Sequence, residues 1–259
     1  MMFLKAVSAA RRIYPVITNG LKLYLDAYNL DSYSGSGSVW YDLSNSGYNF
    51  TNYGATWTTS GSLRYWELDG VNDRIEGTNT TTLFDITSTG YSWSLWVNYV
   101  TTPAAFDMVI NGELGTSGKI PYFIDNRNSI GTNGNGWLVG AYYDATGQAR
   151  FVQYNQTITT NVWRHVCYTF TYSTATTGNF TLYINGTQAA TSNQTVTGGL
   201  TWTSFNNSQR PLIGAWKEPA GTYVRYNNIK VGEVLNYNRP LTSTEVSNNY
   251  NSTKSNYGL

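Results

Sequence analysis

The chain is short of the residues that usually announce chemistry. One cysteine and one histidine stand among its 259 residues. A lone Cys167 closes no intrachain disulfide. Within Val166-Cys167-Tyr168 it reads as a small buried side chain on a strand. As a nucleophile it would need a positioned base, and His165 sits two residues away on the same strand face. The two together fall short of the four ligands that close a structural zinc site, so His165 is read as a packed, hydrogen-bonded side chain. Charge is also scarce, at 12% of residues and a net of +1. That argues against a nucleic-acid partner held by a basic surface, and against an acidic or basic tail. No run of 18 apolar residues occurs, so no helix of membrane-spanning length is expected. No glycine-rich turn carries the Lys-Ser/Thr pair of a phosphate-binding loop.

What is abundant points to strands. Aromatic residues make up 15% of the chain, with 22 Tyr and 9 Trp, which argues against disorder. Tyr, Trp and Thr favour pleated strands, while Asn, Ser and Gly favour turns. A chain of 259 residues suits one large β-sandwich. Such a domain buries about 70–75% of its extended surface and needs no disulfide or metal to hold it.

The clearest strand is Tyr91–Val100, with Trp93, Leu95, Val97 and Tyr99 on one face and Ser94, Trp96 and Asn98 on the other. Leu21–Asp26, Phe106–Asn111, Gly136–Tyr143, Ala149–Tyr154, a stretch from Trp163 through Tyr172 and the short Pro211–Gly214 read as further strands, Leu63–Gly77 as strands joined by a tight turn at Gly70, and Phe180–Gly186 as part of a hairpin. Asn185-Gly186 marks a tight hairpin turn. The 126–136 and 192–210 stretches read as loops. The last strand, from Ile229 to Tyr237, is stopped by Pro240, and a helix start follows. Thr242 is its N-cap, Glu245 completes a capping box, and Leu241 and Val246 form a hydrophobic staple.

Four of these motifs, in this order, resemble laminin G-like domains of the concanavalin A-like superfamily. They are Leu68-Asp69-Gly70-Val71-Asn72-Asp73, Trp163-Arg164-His165-Val166, Leu182-Tyr183-Ile184-Asn185-Gly186, and Gly232-Glu233-Val234 with Tyr237-Asn238-Arg239-Pro240-Leu241-Thr242. The resemblance runs roughly from Gly20 to Tyr250. Leu235 and Asn236 depart from it, as does Asn72, which replaces an acid. It implies an all-β, two-sheet antiparallel jelly-roll sandwich (concanavalin A-like) with a short C-terminal helix and an N-terminal arm. Residues 1–18 would be the arm and residues 19–259 the jelly-roll domain.

The arm carries Lys5, Arg11 and Arg12 and no acid. Lys5 leaves its apolar run too short for a secretion signal. A short helix would put Phe3, Leu4, Val7 and Ala10 on one side, and Pro15 would end it. Phe3, Leu4, Val7, Arg11 and Arg12 are the candidate docking residues, against the chain's own domain or a neighbouring subunit.

Glu67-Leu68-Asp69 resembles the start of a glucanase acid-x-acid motif. The third acid is missing at Val71 and Asn72, and Gly70 points to a turn, so no enzyme is expected. No cofactor is expected either. Calcium is the cation that Asp69, Asn72 and Asp73 would take as clustered oxygen ligands. The competing reading has them hydrogen-bonding the turn backbone.

A pool of aromatic residues could stack on sugars: Trp137, Tyr142, Tyr143, Trp202 and Trp216. The competing reading packs most of them into the core.

Single-domain chains of this family with a Lys-x-x-Tyr-Gly-Leu tail, here Lys254–Leu259, resemble virion structural proteins of tailed bacteriophages. That resemblance implies a non-enzymatic capsid decoration or head or tail surface protein. It would be made in the host cytoplasm without a secretion signal and sit on the virion surface. Its partners would be other virion proteins of capsid or tail and copies of itself, with neither nucleic acid nor membrane. The alternative is a lectin-like module that binds cell-surface or environmental glycans.

Overall fold

The computed structural model describes residues 16–77, 89–103, 107–112, 119–127, 136–143, 148–205, 210–218 and 220–259. The chain opens with β1 (Leu21–Asp26), β2 (Val39–Trp40), β3 (Phe50–Tyr53), β4 (Thr56–Ser60), β5 (Leu63–Asp69) and β6 (Arg74–Gly77). Then come β7 (Gly90–Tyr99), β8 (Asp107–Gly112), β9 (Lys119–Arg127), β10 (Gly136–Tyr143), β11 (Gln148–Asn155) and β12 (Trp163–Tyr172). The rest holds β13 (Thr177–Ile184), β14 (Thr187–Thr195), β15 (Pro211–Ile213), β16 (Trp216–Lys217), β17 (Tyr223–Val224), β18 (Asn228–Tyr237) and the helix α1 (Ser243–Thr253).

Two eight-stranded sheets face each other. Sheet A runs β14-β13-β12-β7-β18-β5-β4, with β1 also paired to β18, and sheet B runs β11-β10-β9-β8-β15-β6-β3-β2. β16 and β17 form a separate two-stranded ribbon. The paired strands run antiparallel. The two sheets, the order of their strands and the short C-terminal helix make this a concanavalin A-like jelly roll.

The core lies between the sheets because strand side chains alternate. Sheet A sends in Trp93, Leu95 and Val97, with Val166, Tyr168, Phe170 and Val231. Sheet B answers with Ile75, Ile110, Ile124, Val139 and Val152. Trp93 stacks across the gap on Tyr122, with ring centroids 4.5 Å apart. β7 is buried along its whole length, since its second face is covered too.

The cover on that second face comes from the C-terminus. Trp96 donates its indole N–H to Thr253 Oγ1 at 2.9 Å. Its ring lies on Tyr257 at 4.2 Å and Tyr250 at 5.7 Å. The closing motif sets this geometry. Thr242 caps α1 and exchanges hydrogen bonds with Glu245 in a capping box. Leu241 and Val246 join one apolar cluster with Leu235 and Tyr237. Arg239 grips Glu245 with a fork of two hydrogen bonds, at 2.6 and 2.9 Å, and this pair holds the Glu245 carboxyl down at about 2. Asn236, the departure from the family pattern, is buried and donates to the Ser92 carbonyl at 3.2 Å.

β3, β4, β9 and β14 are strands that the pattern of apolar residues does not reveal. Pro121 interrupts the strand signal of β9. β14, TQAATSNQT, is an edge strand with little to bury on either face, so it lacks the alternation that marks a half-buried strand. The 126–136 stretch reads as a loop, yet Asn126 and Arg127 close β9, and 192–195 likewise belongs to β14. Asn185 and Gly186 turn the β13–β14 hairpin with positive φ at both positions, 50° and 75°, as a two-residue type I′ turn requires.

Candidate functional site

Several groups of reactive type lie on the helix-covered face of sheet A. Ser94 Oγ and His165 Nε2 are 2.8 Å apart. Both side chains are buried, as is Cys167. Burial lowers His165 to about 3 and raises the Cys167 thiol far above its ordinary value. A neutral imidazole and a protonated thiol, sealed from solvent, form a packing unit and not a nucleophile with its base. Asp26 and Glu233 are cross-strand neighbours between β1 and β18. Both are buried, at 3% and 1% exposure. Burial raises both carboxyls, Asp26 to about 6, and the charge of Asp26 raises Glu233 further. Two acids side by side in a buried layer disfavour ionisation of both.

The turn between β5 and β6 uses its acids internally. Asp69 Oδ1 accepts from the backbone N–H of Val71 at 2.8 Å and of Asn72 at 3.2 Å. Asp73 Oδ2 accepts from the Asp69 N–H at 3.0 Å. The Val71 bond is the main reason that Asp69 titrates below its ordinary value, while burial raises Asp73. The side chains of Asp69 and Asp73 thus bond the turn backbone, while Asn72 takes part through its own backbone N–H. Among the described residues no group of three or more His, Cys, Asp or Glu side chains gathers to hold a metal. Glu67 pairs with Lys230 at 3.7 Å.

Sheet B's outer face opens to solvent only around Trp216, Tyr223 and Tyr53, and most of the strand row beneath them is buried. One register row crosses it through Glu76, Leu212, Asn111, Phe123, Gly140 and Phe151. Above the row sits the β16–β17 ribbon. Trp216 is half-buried and packs on the cluster of Phe123 and Leu138. Arg225 lies over its ring, 4.8 Å from the centroid. Tyr223 extends the chain of contacts: Arg74 lies 4.0 Å from its ring and 4.4 Å from that of Tyr53. Lys217 is 5.1 Å from the Tyr223 ring. Glu76 anchors the cations, at 2.6 Å from Arg74 and 3.2 Å from Arg210. Burial raises the Glu76 carboxyl, but hydrogen bonds from Tyr223 and Arg74 and the charge of Arg74 and Arg210 outweigh it, and the net shift is downward.

Asp125 is a second buried acid on this face. Glu76 is on β6 and Asp125 on β9, three strand steps apart through β15 and β8. At about 4.8 Å per step this separates them by about 14 Å. A glycosidase pair needs about 5 to 9.5 Å, so these two acids do not flank one glycosidic bond.

The aromatic candidates divide. Trp137 and Trp202 are corrected here. They are 1% and 0% exposed and fill the core. Trp137 meets Tyr99 edge-on at 5.8 Å, and Trp202 packs on Phe170 at 4.6 Å and Phe180 at 5.7 Å. An indole enclosed in this way offers no face to a sugar. Trp202 reached the core because its loop folds into a 3-10 turn, Trp202–Phe205, that drives the ring between the sheets. Trp216 lies on the open face. Tyr142 and Tyr143 pair with Ala149 and Gln148 in β10 and β11, and their side chains lie outside the described residues. Phe3, Leu4, Val7, Arg11 and Arg12 also lie outside them. Arg74, Tyr223 and Arg225 escaped the sequence reading, since no spacing in the chain announces that they meet.

The architecture is that of a sandwich of two antiparallel sheets. A family model described as the concanavalin A-like lectin/glucanases superfamily, of laminin G type, matches residues 69–247, and this chain belongs to that family. No curated protein sequence matches it. Among solved structures, the binding domain of botulinum neurotoxin serotype C1 is similar at 15% identity and a TM-score of 0.64, over 91% of this chain and 52% of that one. Trypanosoma rangeli sialidase in complex with sialic acid is similar at 17% identity and 0.61, over 92% and 33%. Domain 4 of AbnA, an extracellular arabinanase from Geobacillus stearothermophilus, in complex with arabinotriose, is similar at 15% and 0.57, over 89% and 98%. This chain thus spans about a third of the sialidase and half of the neurotoxin domain. At such identities the likeness is one of fold.

Proposed function

We propose that this chain is a non-enzymatic, lectin-like attachment module whose open face on sheet B contacts glycans. The observation that carries the reading is the series of aromatic rings and cations running from Tyr53 and Arg74 through Tyr223 to Trp216 and Arg225. Aromatic faces stack on the C–H surfaces of sugars, and guanidinium groups donate to their hydroxyls. The names of two structures of this fold record bound sugars, arabinotriose and sialic acid, which supports the same direction. A glycan array tests it. Saturable binding by the wild type, weakened about tenfold by Trp216→Ala, is expected for loss of a stacking aromatic. No binding to any glycan, or an undiminished Trp216→Ala, would sink it.

A second reading concerns what the module is attached to. Val16 and Ile17 pack on the helix cluster, and the Ile17 N–H donates to Asn249 Oδ1 at 2.9 Å. Residue 16 therefore enters the domain on the helix side of sheet A, opposite the open face. This arrangement favours docking of the arm on a particle, such as the capsid or tail of a virion, while sheet B faces outward. Deletion of residues 2–17 should abolish incorporation into such a particle and leave glycan binding intact. Normal incorporation of the shortened chain would refute it.

A further inference from the structure

The β13–β14 hairpin and the end of β11 enclose a cleft of about 300 Å³, with none of the open-face aromatics in its lining. Tyr154, Gln156, Arg164, Ile184, Asn185 and Gln188 contribute to its wall. Its size is at the lower end of ligand pockets, and suits one sugar ring more than a chain.

The wall is rich in unspent donors. Arg164 makes a single long hydrogen bond, from Nη1 to the Trp163 carbonyl at 3.4 Å. It has no ion pair among the described residues. Among the described residues, the side chains of Tyr154, Gln156 and Gln188 have no hydrogen-bond partner. Asn185 is held by its left-handed turn conformation and accepts the His165 N–H on Oδ1 at 3.0 Å. Among the described residues its amide nitrogen has no acceptor. Arg164 stands on the interior strand β12, Tyr154 and Gln188 on edge strands and Asn185 on a tight turn, so little motion is needed to present them.

The lining contains no Asp or Glu. That absence selects the ligand. A half-buried guanidinium without a carboxylate offers a planar fork that matches a carboxylate with two parallel hydrogen bonds. The amides suit neighbouring hydroxyls, and the Tyr154 ring suits a C–H face. A metal ion would lack its anionic ligands here. A neutral sugar would leave the charge of Arg164 unanswered.

We propose that this cleft binds a carboxylate-bearing monosaccharide unit, of the uronic or sialic acid kind, with its carboxylate on Arg164. The inference extends the glycan reading to a second site and does not depend on Trp216. The test is a calorimetric titration of the full chain with 3′-sialyllactose and digalacturonate, against lactose as the neutral control. Binding of at least one acidic sugar is expected, about tenfold tighter than lactose and weaker at high salt. Arg164→Ala should lose about tenfold, and Gln188→Glu, which sets a like charge in the cleft, at least as much. Equal affinity for lactose, or absence of binding by both acidic sugars, would overturn the proposal, as would wild-type affinity in Gln188→Glu. Gln188 is exposed, so this variant keeps the test valid should Arg164→Ala fold poorly. Loss in Arg164→Ala with no effect of Trp216→Ala would sink the open-face reading and keep this one. The reverse pattern would sink this one alone.

Discussion

The outer faces of the two sheets are built from similar residue types and treated in opposite ways. On sheet A, Trp96, Trp163 and Tyr65 are covered by Tyr250 and Tyr257 from the chain's own C-terminus. On sheet B, the short β16–β17 ribbon buries Phe123 and Leu138 but is itself only partly buried at Trp216, and Tyr53 is 40% exposed. Polar groups follow the same division. Sheet A's Asp26 and Glu233 are shut away from water and pushed toward their neutral forms. Sheet B's Glu76 keeps its charge because Arg74 and Arg210 reach it. The difference teaches that an aromatic residue on a sheet face is structural or functional according to what the rest of the chain lays over it.

The sharpest way to break this comparison is Trp96→Ala. It removes a fully buried indole and leaves the Thr253 hydroxyl without its donor, and should cost about 3–5 kcal/mol in a urea unfolding curve. Trp216→Ala should cost about 1 kcal/mol by the same measurement. Equal losses would mean that sheet B's face is as structural as sheet A's.

Glu233→Gln comes next and has the opposite sign. A carboxyl whose folded pKa lies above its unfolded value stabilises the fold at low pH and loses that contribution as pH rises. For Asp26 the loss runs from about 3.8 to about 6. Glu233 behaves likewise from about 4.5 upward. His165 runs the other way. Lowered from 6.5 to about 3, it stabilises above 6.5 and loses this as pH falls toward 3. Glu233→Gln should therefore gain about 1–2 kcal/mol at pH 8 and little at pH 4. Thermal unfolding across pH checks it, and a Glu233→Gln chain less stable than wild type at pH 8 would contradict the sealed-acid picture. The smallest effect is that of the helix cap. Thr242→Ala should cost about 1 kcal/mol, and should loosen the Tyr257 cover, read as faster hydrogen exchange in β7, while leaving sheet B unchanged.

Local signals were legible where residues close in sequence cooperate. The alternation in β7, the Asn185-Gly186 turn and the Thr242–Glu245 capping box depend on neighbours a few positions apart, and the structure contains all three. β14 was not legible, because a polar edge strand is specified by its partner β13 and not by burial. The tail was not legible either: Lys254–Tyr257 shows no periodicity, yet Tyr257 stacks on Trp96, 161 positions earlier.

By itself, then, the sequence determined the architecture: scarce charge, one cysteine, abundant β-formers and four ordered motifs leave a two-sheet sandwich closed by a capped helix. Only the tertiary structure decided which aromatics and acids meet solvent. Trp137, Trp202 and Trp216 have the same side chain and similar polar surroundings in sequence, but exposure depends on packing between strands far apart in the chain. Glu233 and Glu76 are both buried, and their neighbours separate them. One faces another acid across β1 in a dry layer, and the other faces two arginines.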